Sequence, residues 1–141
     1  MLSTSVNTNS DLYKSNYQAM QQLVEKLNAL KKEASYQGKE RHLQKAKAEG
    51  KFSARERIEL LLDENSPFLE LLPFAGINGK NSEGGTTTVG GIGLIHNRLC
   101  VVLANVGTNK GGAVNLPTLH KSLRLGDIAI ENDLPMINLV E

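Results

Sequence analysis

The strongest constraint on the fold lies between Thr86 and Glu141. Val89, Ile92, Leu94 and Ile95 form an apolar run broken by Gly90, Gly91 and Gly93, and after His96-Asn97 a second run follows, LCVVLANV. Two β-prone runs joined by two residues predict a hairpin, because Asn tolerates the positive φ that such a turn demands. Pro117 then opens a helix where a missing N–H costs nothing. Leu119, Leu123 and Ile130 fall on one face of it, and Gly126 is expected to allow close approach. Asn132-Asp133 ends the helix, and LPMINLV reads as the next strand. Strand, crossover helix and strand make a βαβ unit, whose two strands lie parallel in one sheet. The predicted class is α/β: N-terminal helices, then a β-hairpin and a βαβ unit.

The front of the chain has a different period. Residues 1–14 begin polar and are expected to be a disordered lead-in. From Ser15 onward Tyr17, Met20, Leu23, Val24, Leu27 and Leu30 recur at three and four, the stripe of an amphipathic helix ending near Gly38. The basic segment KERHLQKAKAEGK extends the helical stretch to Gly50. Ser53-Ala54-Arg55-Glu56 fits a capping box, with Ile58, Leu61 and Leu62 on the buried side of the short helix behind it. Asp63 to Pro67 breaks that helix, and FLELLPFAG reads as an extended segment. The expected division is a lead-in at 1–14, a helical segment at 15–72 and a sheet-forming segment at 73–141.

Bulk properties exclude more than they select. A chain of 141 residues holds one domain with a modest core. With 16 basic and 15 acidic residues its net charge of +1 points to neither nucleic acid nor membrane. The basic residues cluster between Lys26 and Arg57, but with few aromatics for bases to stack on, so a solvated helix face explains them. A single cysteine, Cys100, excludes an internal disulfide and sits in an apolar run as a buried, inert thiol. The first fifteen residues lack the apolar block of a signal peptide and the arginines of a transit peptide, and the expected location is cytoplasmic.

Chemistry has one candidate loop, Gly107-Thr108-Asn109-Lys110-Gly111-Gly112, between a strand end and a helix start. Glycines let backbone approach a ligand, a helix N-terminus follows, and Lys110 adds a full positive charge, which together suit an anion. The spacing is not that of a nucleotide P-loop, and a glycine-rich turn with a solvated lysine competes as an explanation. The glycines of VGGIG at 89–93 fit close strand packing or a bulge. His42, His96 and His120 show no metal-ligand spacing and no nucleophile–base grouping. His120, Lys121 and Arg124 could edge a phosphate site, although a solvated helix face is the better reading. No catalytic residue and no metal ligand emerges.

Three stretches carry a resemblance: RHLQKAKAEGKFSARERIELLLDENSPFLEL at 41–71, the hairpin VGGIGLIHNRLCVVLANV with its KGG loop, and the run from Pro117 through KSLRLGDIAIENDLPMINLVE. In this order they resemble the N-terminal region of carboxyltransferase (β) subunits of biotin-dependent acyl-CoA carboxylases, of the propionyl-CoA and methylcrotonyl-CoA carboxylase type. The resemblance implies a partial crotonase-like fold. It implies transfer of a carboxyl group from carboxybiotin to the α-carbon, or vinylogous position, of an acyl-CoA, with the enolate held by backbone amides of glycine-rich turns. Biotin would be carried by a partner subunit or domain and not bound directly. The implied partners are acyl-CoA, a biotin carboxylase or biotin carrier subunit, and further copies of the chain.

Lys110, Gly111 and Gly112 match the family's KGG and become candidate CoA contacts, Lys110 toward a phosphate. Leu139-Val140-Glu141 matches the strand leading into the family's Ser-Gly-Gly-Ala turn, which lies outside these residues, so the 141-residue chain alone is expected to be inactive. Ala104-Asn105-Val106 stands where the family usually has Ala-Asn-Asp, which opens the local loop geometry to question. The alternative is a non-catalytic assembly module derived from that family.

Overall fold

The structure, a computed structural model, describes residues 4–77 and 86–141. It forms two units, one running to Glu33 and one from Ala34 to Glu141. The first is essentially a single helix, α1 (Asp11–Ala34), which begins after the Ser10 carbonyl accepts from Lys14 N. Tyr13 and Tyr17, one turn apart, stack with ring centroids 6.2 Å apart. The predicted stripe is present, but none of its residues is buried.

The second unit contains α2 (Glu40–Ala48), α3 (Ala54–Leu61), β1 (Leu69–Glu70), β2 (Thr88–Ile95), β3 (Arg98–Asn105), α4 (Leu116–Glu131) and β4 (Met136–Leu139). Gly38, at φ +121°, separates α1 from α2, so the front half holds three helices rather than one long run and a short one. The capping box at α3 is complete: Ser53 Oγ accepts from Glu56 N, and Glu56 Oε2 accepts from Ser53 N at 2.7 Å. That reciprocal pair satisfies two amides that a helix start otherwise leaves open. The expected extended segment at 68–76 is strand only over Leu69–Glu70, and turns follow from Pro73 to Ile77.

The sheet order is β1-β2-β3-β4. β2 and β3 pair antiparallel without interruption from Thr88↔Asn105 to Ile95↔Arg98, closed by His96 and Asn97 at φ 50° and 59°. Both positive φ values are those of the two-residue turn predicted. Asp63 adds a contribution that sequence reading missed. Its two carboxylate oxygens accept from His96 N and Asn97 N at 2.7 Å each, and those bonds hold the carboxyl below its ordinary range.

β3 and β4 pair parallel from Val101↔Met136 to Ala104↔Leu139, which completes the βαβ unit. Cys100, Val102 and Ala104 face α3, packing with Ala54 and Ile58. Val101 and Leu103 face the other way, onto Leu125 and Ala129 of α4. A strand covered on both faces reads as a continuous apolar run, which is why LCVVLANV lacks alternation. Cys100 is buried at 4 % exposure, as expected of a small apolar filler.

The glycines of β2 serve close packing, and the unbroken register excludes a bulge among them. A Cβ on Gly90 would lie 2.6 Å from Leu125 Cδ1, and one on Gly91 would lie 2.9 Å from Glu70 Cα. The α4 face differs from expectation. Thr118, Lys121, Leu125 and Ala129 point inward, whereas Leu119, Leu123 and Ile130 are exposed, Ile130 at 79 %. A Cβ on Gly126 would meet nothing within 4 Å, so no close approach occurs there. The start of α4 decides its rotation. Thr118 Oγ1 accepts from Thr87 N at 2.9 Å, Asn115 Oδ1 caps Thr118 N at 2.8 Å, and Thr87 Oγ1 donates to Ala113 O. This buried, satisfied network turns the Thr118 face inward.

Candidate functional site

The carboxyl ends of β3 and β4 lie side by side, the position where open α/β sheets generally take ligands. Arg57 of α3 ties those ends together. Its Nη2 donates to Asn105 O, its Nη1 donates to Leu139 O at 3.4 Å, and Nη2 stands 3.8 Å from Glu141 Oε2. Asn105 Oδ1 in turn accepts from Glu141 N at 3.0 Å. Sequence reading names neither Arg57 nor Asn105 as a site residue, and it does not foresee their contact. The signal was available for Arg57, since Ala54, Arg57, Ile58 and Leu61 share the i, i+3, i+4, i+7 face of α3.

The loop from Gly107 to Gly112 folds back over these strand ends. A Cβ on Gly107 would lie 2.8 Å from Glu141 Oε2, and one on Gly112 would lie 2.9 Å from Asn105 Nδ2. Lys110, Gly111 and Gly112 have φ of 51°, 65° and 70°, a run of left-handed residues that glycine makes accessible. The amides of Gly112 and Ala113 are spent inside the turn, on Asn109 O at 2.9 Å and Lys110 O at 3.3 Å. Its charged offering to an anion is therefore the Lys110 side chain, which is exposed. Val106 is buried at 3 % exposure in the core cluster facing α3, with its N–H on Thr87 O at 2.8 Å. An apolar side chain suits that position, and the loop closes without a carboxylate.

Other candidates separate. His96 is in the hairpin turn, His42 on α2 and His120 on the outer part of α4, so the structure brings no two of them together. Among the described residues no three His, Cys, Asp or Glu side chains cluster as metal ligands. Lys121 overturns its expectation of a solvated face: it is 3 % exposed. Burial pushes its pKa from 10.5 down to about 8, with Glu70 raising it and Arg55 lowering it further. Arg55 and Glu70 are themselves paired at 2.8 Å. Arg124 is exposed, 3.3 Å from Glu131, while His120, Lys121 and Arg124 all line one open cleft at the start of α4, beside Leu116 and Pro117. No helix among the described residues is long and apolar enough to cross a membrane.

Residues 45–141 match the model of the carboxyl transferase domain. The chain belongs to that family. Among curated relatives, a probable biotin-dependent acyl-coenzyme A carboxylase beta2 subunit of Mycobacterium tuberculosis is 40 % identical over 141 residues, all of this chain and 26 % of the relative. The mitochondrial methylcrotonoyl-CoA carboxylase beta chain of Dictyostelium discoideum is 39 % identical over 143 residues, again all of this chain and 24 % of the relative. Among solved structures, the geranyl-CoA carboxylase beta subunit of P. aeruginosa superposes with a TM-score of 0.80 at 32 % identity, covering 99 % of this chain and 26 % of that one. The transcarboxylase 12S subunit shares the fold at a TM-score of 0.69 and 24 % identity, over 84 % of this chain and 24 % of its own. This carboxyl transferase domain chain thus spans about a quarter of its relatives' length and carries the N-terminal part of a crotonase-like fold.

Proposed function

We propose that the chain is the N-terminal part of a carboxyltransferase subunit of a biotin-dependent acyl-CoA carboxylase, residues 15–72 being its helical segment and 73–141 the start of its acyl-CoA-binding domain. The complete subunit moves a carboxyl group from carboxybiotin to the α-carbon, or vinylogous position, of an acyl-CoA. Carboxybiotin arrives on a partner subunit or domain, and further copies of the subunit complete the assembly. One observation carries this reading. The Lys110-Gly111-Gly112 turn stands beyond the carboxyl ends of two parallel strands, in a chain 40 % identical throughout to a carboxylase beta subunit.

In this reading Lys110 meets a CoA phosphate, and Gly111 and Gly112 supply the left-handed backbone that presents it. The turn does not hold the enolate. That oxygen requires free, preorganised amides, and those of Gly112 and Ala113 are already bonded within the turn. The ureido oxygen of biotin would need the same kind of donor, so the turn does not fit biotin either and no step is routed through it.

Titrating CoA into the chain while following amide resonances tests the assignment. Shifts are expected at Gly107 to Gly112 and should be lost in Lys110→Ala. The absence of shifts at about millimolar CoA, the weak end of specific binding, overturns it. The 141-residue chain supplied with carboxybiotin and a short acyl-CoA is expected to show no turnover, and measurable turnover would refute the division of labour.

A further inference from the structure

A small cavity lies where α3, β1, β2 and α4 meet, with Tyr36, Arg55, Glu70, Thr86, Val106 and Lys121 on its walls. It offers about 10 Å³ to the centre of a water-sized particle, which is room for one such particle and no more. We propose that this cavity binds a single monatomic anion, chloride in the cell, held by the Lys121 ammonium beside the Arg55–Glu70 ion pair. Lys110 does not line it, so the proposal stands whether or not the Lys110 turn meets CoA.

Charge is the first observation. Lys121 is 3 % exposed, yet among the described residues its ammonium donates no hydrogen bond and forms no ion pair. The carboxylate that acts on it, Glu70, is committed to another cation: both its oxygens accept from Arg55 Nη2, at 2.8 and 3.1 Å. Arg55, Glu70 and Lys121 together therefore carry one net positive charge. Tyr36 is the remaining titratable group among the described wall residues, and β2 contributes only Thr88 and Val89. An ammonium has three donors to satisfy, and a buried charge without a partner costs far more than a buried neutral group. A water molecule answers a donor and leaves the charge. A monovalent anion answers both. Carboxylate, phosphate and sulfate carry the charge but exceed the space.

Construction is the second observation. Lys121 is held inward by its neighbours on the same face of α4. Thr118, one turn before it, is 2 % exposed; its Oγ1 accepts from Thr87 N at 2.9 Å and donates to Asn115 Oδ1 at 2.6 Å. Leu125, one turn after it, is fully buried. A rotation of α4 that carried the ammonium into water would break the threonine network and expose Leu125. The opposite wall is fixed as well. Arg55 projects from the first turn of α3, which the Ser53–Glu56 box closes, and Glu70 is paired in register with Gly91 of β2. The cation is thus presented to the cavity by secondary structure on both sides, before any ion arrives.

Urea unfolding of the 141-residue chain at pH 7 and constant ionic strength tests this, with sodium chloride exchanged stepwise for sodium gluconate, whose anion is too large for the cavity. Past half-saturation the unfolding constant of the parent should fall by up to tenfold for each tenfold rise in chloride. Bromide should act as chloride does, and Lys121→Met should lose the dependence on both. Because the ion offsets the Lys121 charge, the stability gap between parent and variant should be widest in gluconate. Equal chloride dependence in parent and variant would place the effect elsewhere on the molecule and overturn the site. A parent whose stability ignores chloride would overturn it too. Anomalous diffraction from crystals of the parent grown in bromide gives a readout that needs no variant, with a peak expected beside Lys121 Nζ. A water in that place, or bromide at surface cations only, would also overturn the proposal.

Discussion

Lys121→Met offers the sharpest test of how this unit is held together. Lys121 is 3 % exposed and its ammonium is taken out of water toward a wall where Glu70 already belongs to Arg55. Burial brings its pKa from 10.5 to about 8. A displacement of that size corresponds to roughly 3 kcal/mol less stability at pH 7 than an unperturbed amine would give. The sign follows from proton counting. Between pH 8 and 10.5 the unfolded chain holds the Lys121 proton and the folded chain releases it, so stability rises with pH there. The cost is fully present below about pH 8 and is relieved as pH climbs toward 10.5. Methionine keeps a comparable unbranched stem and removes the charge, so at pH 7 the variant should be more stable by about 2–3 kcal/mol, roughly 5–10 °C in melting temperature. Urea unfolding of both proteins at pH 7, 8.5 and 10 measures the difference directly, because all other titrations are common to the pair. The gap should shrink steadily across that range. A variant less stable than the parent at pH 7, or a gap that does not change with pH, would refute the argument and show Lys121 to be compensated in the fold.

Two further outcomes follow from local geometry. Asp63→Ala removes the acceptor of two hairpin amides and should lower stability at neutral pH; because the folded carboxyl titrates below its usual 3.8, the parent's advantage should disappear as pH falls through and below that value, read by thermal melts from pH 7 to 3. Gly91→Ala places a Cβ 2.9 Å from Glu70 Cα and should cost about 1–3 kcal/mol by forcing β1 away, whereas Gly126→Ala faces open space within a helix and should add about 0.5–1 kcal/mol, a contrast that chemical denaturation of the two variants would reveal.

Much of the fold was legible because it is written locally. The His96-Asn97 turn, the Ser53/Glu56 box and Pro117 each act within a few residues, and each appears where expected. The rotation of α4 was not legible. Its sequence carries two apolar faces, Leu119/Leu123/Ile130 and Leu125/Ala129, and periodicity alone does not choose between them. The choice is made by Thr118, a polar residue that looks like a surface position until Thr87, 31 residues away, is seen to donate to it. Lys121 was misread for the same reason. Once Thr118 turns inward, the residue three positions on must follow it, charge included.

The candidate site was hidden by sequence distance rather than by weak chemistry. Lys110 was visible because it sits between glycines in a loop. Arg57 and Asn105 are 48 residues apart, and their bond at the strand ends depends on α3 crossing the face of β3. Lys39 and Arg41, which line one cleft with Lys110, lie still further from it in sequence, inside a run whose composition suggests solvated charge. What distinguishes them is Gly38, whose left-handed backbone lets the chain press onto Thr108 and carries those cations to the loop. A glycine between two helices reads in sequence as a mere stop. In the fold it is the residue that seats the start of α2 against the loop after β3.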